Sequence, residues 1–207
     1  MKRFLMAALA GAVCLPGFAD SLETMVKPSY TNRGDLVRPE GFREWVFVGA
    51  SYGLSYGEQP SPDPVFHHVY IQPEAYKQYQ ETGTFPEKTM LVMENYTPGT
   101  KEDNTAAGKV DGEEPFENLH GQFEDKRVGL EVALKDSEQF EDGWAYFAFS
   151  LMGGPLRDSA KAFPKTMCWD CHKAHAADDN VFVQFYPVLR ESFEERLLKA
   201  GADESAE

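Results

Sequence analysis

The sequence predicts an α+β domain in which sheet predominates and the helices are few and short. Six runs are rich in β-branched and aromatic residues, and several alternate apolar with polar positions, the period of a strand with one buried face. Segments carrying helix start and stop signals are short by comparison. The chain of 207 residues is long enough for one domain with a sizeable core.

Taken in order, the strand runs are residues 44–48, 66–71, 89–96, 128–134, 144–150 and 181–189. The first helix opens at Pro73-Glu74, with Pro at its first position and an acid in its first turn, and Gly83 ends it. Further helices are expected at 155–163, around Cys168, and at 191–199, where Phe193 and Leu197 share a face. Residues 55–64 and 97–118 are rich in Gly and Pro, and the second stretch is long and acidic, so both are expected to be loops. Residues 201–207 are expected to form a flexible tail. No internal repeat is present.

Lys2 and Arg3 precede an apolar stretch too short to span a bilayer, and Gly17-Phe18-Ala19 offers a small-x-small cleavage site. Residues 1–19 therefore have the form of a secretory signal peptide, cleaved near Ala19, which implies a periplasmic protein with no membrane span. Cys14 lies within the leader and follows Val13, a poor lipoprotein signal, so it is expected to leave with the peptide. Loss of Lys2 and Arg3 lowers Lys+Arg from 20 to 18 against 34 acids, moving the formal charge from −14 to −16. Such a surface repels nucleic acid and anionic lipid. It suits solubility, and would also suit a basic electron-transfer partner.

The expected mature chain keeps two cysteines, both in Cys168-Trp169-Asp170-Cys171-His172. This C-x-x-C-H run is the signal for covalent attachment of one c-type haem, with a thioether from each cysteine and the histidine as iron ligand. On a helix, positions 168, 171 and 172 share a face, so all three can meet one side of a macrocycle. A zinc site using Cys168, Cys171, His172 and His175 is a weaker reading, because the ligands are so compressed in sequence. A thioredoxin-like pair lacks the βαβ context, and a disulfide across two intervening residues closes only a small strained ring.

The position of the motif narrows the choice. Small electron-transfer cytochromes c carry it near the N-terminus with a downstream Met as sixth ligand, and no Met follows His172. The four-helix cytochromes c′ carry it near the C-terminus but need long helical heptads, where this chain has strands.

An ordered set of segments is more specific. Arg43-Glu44-Trp45-Val46-Phe47-Val48-Gly49, His68-Val69-Tyr70-Ile71-Gln72-Pro73-Glu74-Ala75-Tyr76, Thr82-Gly83-Thr84-Phe85-Pro86 and Gly143-Trp144-Ala145-Tyr146-Phe147 precede the haem motif, and Val181-Phe182-Val183-Gln184-Phe185-Tyr186-Pro187-Val188-Leu189-Arg190 follows it. With C-W-D-C-H, this set resembles the cytochrome P-460 family, which includes the cytochromes c′-beta, from about Pro39 to Arg190. The resemblance implies a mainly antiparallel β-sheet domain with a few short helices, a homodimer, and one pentacoordinate haem c with His172 proximal.

It also implies roles for two further residues. In hydroxylamine-oxidising members a lysine on the strand after T-G-x-F bonds to the haem edge, and the matching position here is Met93. Lys88 falls in the turn before that strand and is expected to be solvated. The family's distal arginine matches His67, and strand alternation puts His67 and His68 on opposite faces. His175, three residues after the proximal ligand, is a candidate helix cap or propionate partner. His120 falls in a weakly matched loop. Glu131 and Asp136 are acidic candidates for a catalytic base, but both are expected to be surface carboxylates.

Three functions follow as alternatives. They are binding or detoxification of nitric oxide by a cross-link-free haem, oxidation of hydroxylamine with a soluble cytochrome as electron acceptor, and electron transfer alone. The last would require Met90, Met93, His67 or His68 as a sixth iron ligand. Met93 in place of the lysine favours the first.

Overall fold

The computed structural model describes residues 22–55, 59–100 and 120–204. The expected signal peptide with Cys14, most of the acidic loop, and the end of the expected tail lie outside them.

Five strands form an antiparallel meander in chain order: β2 (Val46–Tyr52), β3 (Phe66–Ile71), β4 (Met90–Gly99), β5 (Phe123–Lys135) and β6 (Trp144–Ser150). Two short strands, β1 (Leu36–Val37) and β7 (Ser159–Ala160), pair with each other. Helix α1 (Pro73–Thr82) follows β3, α2 (Trp169–His175) carries the cysteine motif, and α3 (Pro187–Glu204) closes the described chain. Gly83 terminates α1 at φ 73°, its N–H donating to the Tyr79 carbonyl at 2.8 Å, as a left-handed cap requires.

Alternation along the strands divides the core into two layers. Leu36, Phe42, Met90, Val92, Leu130, Val132, Leu134, Phe147 and Phe149 pack on one face with β1 and β7. Val48, Val69, Ile71, Leu91, Trp144 and Tyr146 face the other way, toward α1, the motif region and the start of α3. The sheet is therefore covered on both sides over much of its area, and every residue of β6 is buried.

Two expected elements are corrected. Residues 155–163 are not helical: Arg157 N–H bonds to the Phe149 carbonyl and Phe163 N–H to the Tyr146 carbonyl, both at 2.8 Å. The segment thus satisfies the outer edge of β6, which would otherwise be an unpaired edge strand. Residues 181–189 are not a strand but a turn, a 3₁₀ turn (Val183–Phe185) and the opening of α3 at Pro187. Val181, Phe182, Val183 and Leu189 are all buried, and a short continuous apolar run does not distinguish strand from buried turn or helix. Helix α3 also extends through 201–204, part of the expected tail.

Candidate haem-binding site

Between the α-helical side of the sheet and α2 lies a cavity of about 90 Å³ that opens to solvent. Val69, Leu91, Met93, Glu131 and Ala133 form its sheet wall, and Cys168, His172, Phe163, Asn180, Phe182 and Tyr186 are among the residues opposite. The lining is mainly apolar, so a flat hydrophobic ligand would lose little solvation there that the walls do not replace.

Cys168 is the N-cap of α2, and both motif cysteines are half-buried free thiols. The Cys168 thiol lines the cavity, where burial first and then Glu131 push its pKa up. Trp169 turns away, its indole beneath the Lys165 ammonium at 3.8 Å and donating to the Asp142 carbonyl at 3.3 Å. Asp170 is exposed. The His172 ring sits between Tyr146 and Phe182, with ring centroids at 4.3 and 4.6 Å.

The orientation of His172 is fixed by one hydrogen bond, 2.8 Å long, from Nδ1 to the Asn180 carbonyl oxygen. A carbonyl only accepts, so Nδ1 carries the proton and Nε2 presents a lone pair. Burial holds the ring's pKa below its usual value against the opposing effect of that carbonyl, which favours the neutral, metal-binding form. The carbonyl belongs to a tight turn, with Val181 N–H bonding to the Asp178 carbonyl at 2.7 Å and positive φ at Asp179 (40°) and Asn180 (60°). Asp and Asn tolerate this backbone better than other side chains. Three elements hold the turn: Tyr79 of α1 donates to Asp178 at 2.7 Å, Lys135 of β5 to Asp179 at 2.7 Å, and Trp144 of β6 to Asp179 at 3.1 Å.

On the sheet wall Met93 stands at the position that the resemblance gives to a lysine. No lysine lines this cavity among the described residues. Lys88 lies elsewhere, and it is not simply solvated, because its ammonium bonds to Asp136 and Glu138. Asp136 is correspondingly buried and also accepts from Tyr30 Oη at 2.6 Å, so it is a structural carboxylate rather than a surface one. Glu131 is also not on the surface: it pairs with Met93 across β4–β5 and lines the cavity. Burial raises its pKa, only partly offset by Asn95 Nδ2, which donates to Oε1 at 3.0 Å.

His67 and His68 do face opposite ways. His67 lines a second, smaller chamber of about 30 Å³ that shares Val69, Met93 and Tyr186 with the main cavity. Its Nδ1 lies 3.1 Å from Ser51 Oγ, and burial followed by the charge of His68 lowers its pKa. His68 Nε2 lies 2.8 Å from Glu124 on the opposite face. His175 and His120 are exposed, and the His175 carbonyl, not its ring, is bonded, accepting from Gln184 at 2.9 Å.

The residues fit a haem. Asn180 Nδ2 is buried without an acceptor in a wall of the cavity, the condition of a donor awaiting a bound polar group. Cys168 and Cys171 would supply the thioethers and His172 Nε2 the iron ligand. Among the described residues, no three His, Cys, Asp or Glu side chains converge as a metal site. Asn180 and Tyr146 were not singled out as site residues from sequence. The Asp-Asp-Asn run before an apolar segment was the available signal for the turn.

No curated protein matches the chain. The family model described as Cytochrome P460 matches residues 39–183, most of the chain and all of the sheet, the motif and the turn behind His172. The chain is a member of the cytochrome P460 family of haem-binding cytochromes.

Proposed function

We propose that this protein is an exported, periplasmic mono-haem cytochrome, with haem c bound through Cys168 and Cys171 and ligated by His172, that binds nitric oxide at the opposite face of the iron. The observation that carries the choice of ligand is Met93 in the cavity wall. A thioether has no amine with which to bond the haem edge, so the cross-link of the hydroxylamine-oxidising members has no donor at that position. When bound, the haem supplies an electrophilic coordination site and a one-electron couple.

The chain's own residues define what reaches that site. Val69, Leu91 and Met93 exclude water and favour a small neutral molecule. His67, kept neutral by burial beside Ser51, can offer such a molecule one hydrogen bond, worth about 1 kcal/mol. A homodimer, as the resemblance implies, and a soluble cytochrome as electron partner belong to the same proposal. No described helix is long and apolar enough to cross a membrane.

One observation favours a second reading. Hydroxylamine oxidation releases protons and needs an acceptor for them, and Glu131 is a wall carboxylate whose pKa is raised by burial. Spectra and turnover separate the readings. The ferrous protein is expected to be high-spin and five-coordinate, to bind nitric oxide rapidly, and to turn over hydroxylamine poorly with a soluble acceptor. A low-spin spectrum without ligand binding would overturn the open site, and sustained hydroxylamine turnover would decide for the second reading.

A further inference from the structure

The Asn180 carbonyl accepts two hydrogen bonds, from His172 Nδ1 at 2.8 Å and from Tyr146 Oη at 3.2 Å. A carbonyl oxygen has two lone pairs, so both donors can be held, but each draws density that the other would use. Tyr146 is buried, and its ring also packs on that of His172. The phenol, the imidazole and the shared oxygen form a closed group whose geometry is imposed by the left-handed pair Asp179 and Asn180 and by the anchors from Tyr79, Lys135 and Trp144.

We infer that Tyr146 is a positioning residue that weakens electron donation by His172, by sharing the carbonyl to which the His172 ring donates. The inference rests on the proposal that His172 ligates the haem. A hydrogen bond from the far nitrogen of a ligating imidazole raises the basicity of the ring and strengthens its bond to the metal. A second donor on the same acceptor reduces that effect. The phenol hydroxyl thus sets an intermediate strength for the proximal bond, between a ring with the carbonyl to itself and a ring with no acceptor. The consequence would bear on nitric oxide binding, because the Tyr146 hydroxyl would then help set how firmly His172 holds the haem when a strong ligand is taken up.

The test uses the purified holoprotein and resonance Raman spectroscopy. In Tyr146→Phe the iron–histidine stretching band of the ferrous protein is expected to move to higher frequency and the reduction potential to fall. A larger fraction of the nitric oxide adduct should also keep its bond to His172. Placing 3-fluorotyrosine at position 146 retains the shape and strengthens the donor, so the band should move the other way. Phe140→Leu alters aromatic packing in the other core layer, away from the cavity, and should leave the band in place. A band unmoved by both changes at position 146, or moved as far by Phe140→Leu, would overturn the inference while leaving His172 as ligand. Absence of any iron–histidine signal in the wild type would remove the ligation proposal and this inference with it.

Discussion

Asn95 lies across Gly129, its partner in the β4–β5 register, so closely that a Cβ on Gly129 would come within 2.5 Å of the amide nitrogen. From there the same nitrogen donates to Glu131 at 3.0 Å. A glycine inside a strand weakens it and marks a close approach, and here the approach is that of a side chain to a cavity carboxylate. The amide oxygen, Oδ1, is buried without a partner, so the contact is retained despite an unsatisfied acceptor.

Gly129→Ala is therefore expected to destabilise the protein by about 1–3 kcal/mol through overpacking. Asn95→Ala in the same chain should recover part of that loss, since it removes the group that the new methyl meets. Denaturant melts of the two single variants and the double variant measure the coupling. Strictly additive effects would contradict the packing account.

Glu131 links stability to pH in a sense opposite to that of an ion-paired acid. Its folded-state pKa is raised above the usual 4.5 by burial, with Asn95 opposing. Below the unfolded value both states hold the proton and nothing is lost. As pH rises beyond it, the unfolded chain releases the proton first and the folded state loses stability. Glu131→Gln keeps an oxygen for Asn95 but cannot ionise. Its melting temperature should exceed that of the wild type at pH 7, and the difference should shrink toward pH 4. An equal difference at both values would show that ionisation is not the cause.

The place of Glu131 in the cavity wall, rather than on the surface where the sequence puts it, has a definite origin. Strands 66–71 and 144–150 are found where alternation and β-branched content put them, and the same alternation separates His67 from His68. On β5 the rule that polar residues face water breaks down. Leu130, Val132 and Leu134 fill one core layer, but the opposite face is also covered, and Glu131 and Ala133 line the cavity there. Local pattern reports which residues share a face, not what covers it. The C-x-x-C-H motif was legible because its chemistry is contained in five consecutive residues. The acceptor for His172 was not, because it is a backbone atom whose direction depends on the Asp179-Asn180 turn.

Covalent attachment has a direct test. The two thiols lie at the start and within the first turn of α2, one of them in the cavity wall. Haem should stay with the polypeptide through denaturation and acidic organic extraction. Cys168→Ala combined with Cys171→Ala should release all of it. Haem extracted from the wild type would refute thioether attachment.

The last prediction concerns Met93. It pairs with Val69 on β3 and Glu131 on β5, and it lines both the main cavity and the chamber that holds His67. Its flexible thioether can fill the space beside a macrocycle but forms no bond to a porphyrin carbon comparable to that of an amine. The ammonium of Lys88 is engaged by Asp136 and Glu138, and that of Lys135 by Asp179 and the Phe85 carbonyl, so neither is free to replace it. The intact mass of the isolated protein should equal the processed polypeptide plus one haem, with no further loss of hydrogen. Peptide mapping should recover haem only on the fragment containing Cys168 and Cys171. A second haem-bearing fragment, or a mass lower by the hydrogens that a cross-link removes, would overturn the assignment of this chain to the uncross-linked members and with it the preference for nitric oxide over hydroxylamine.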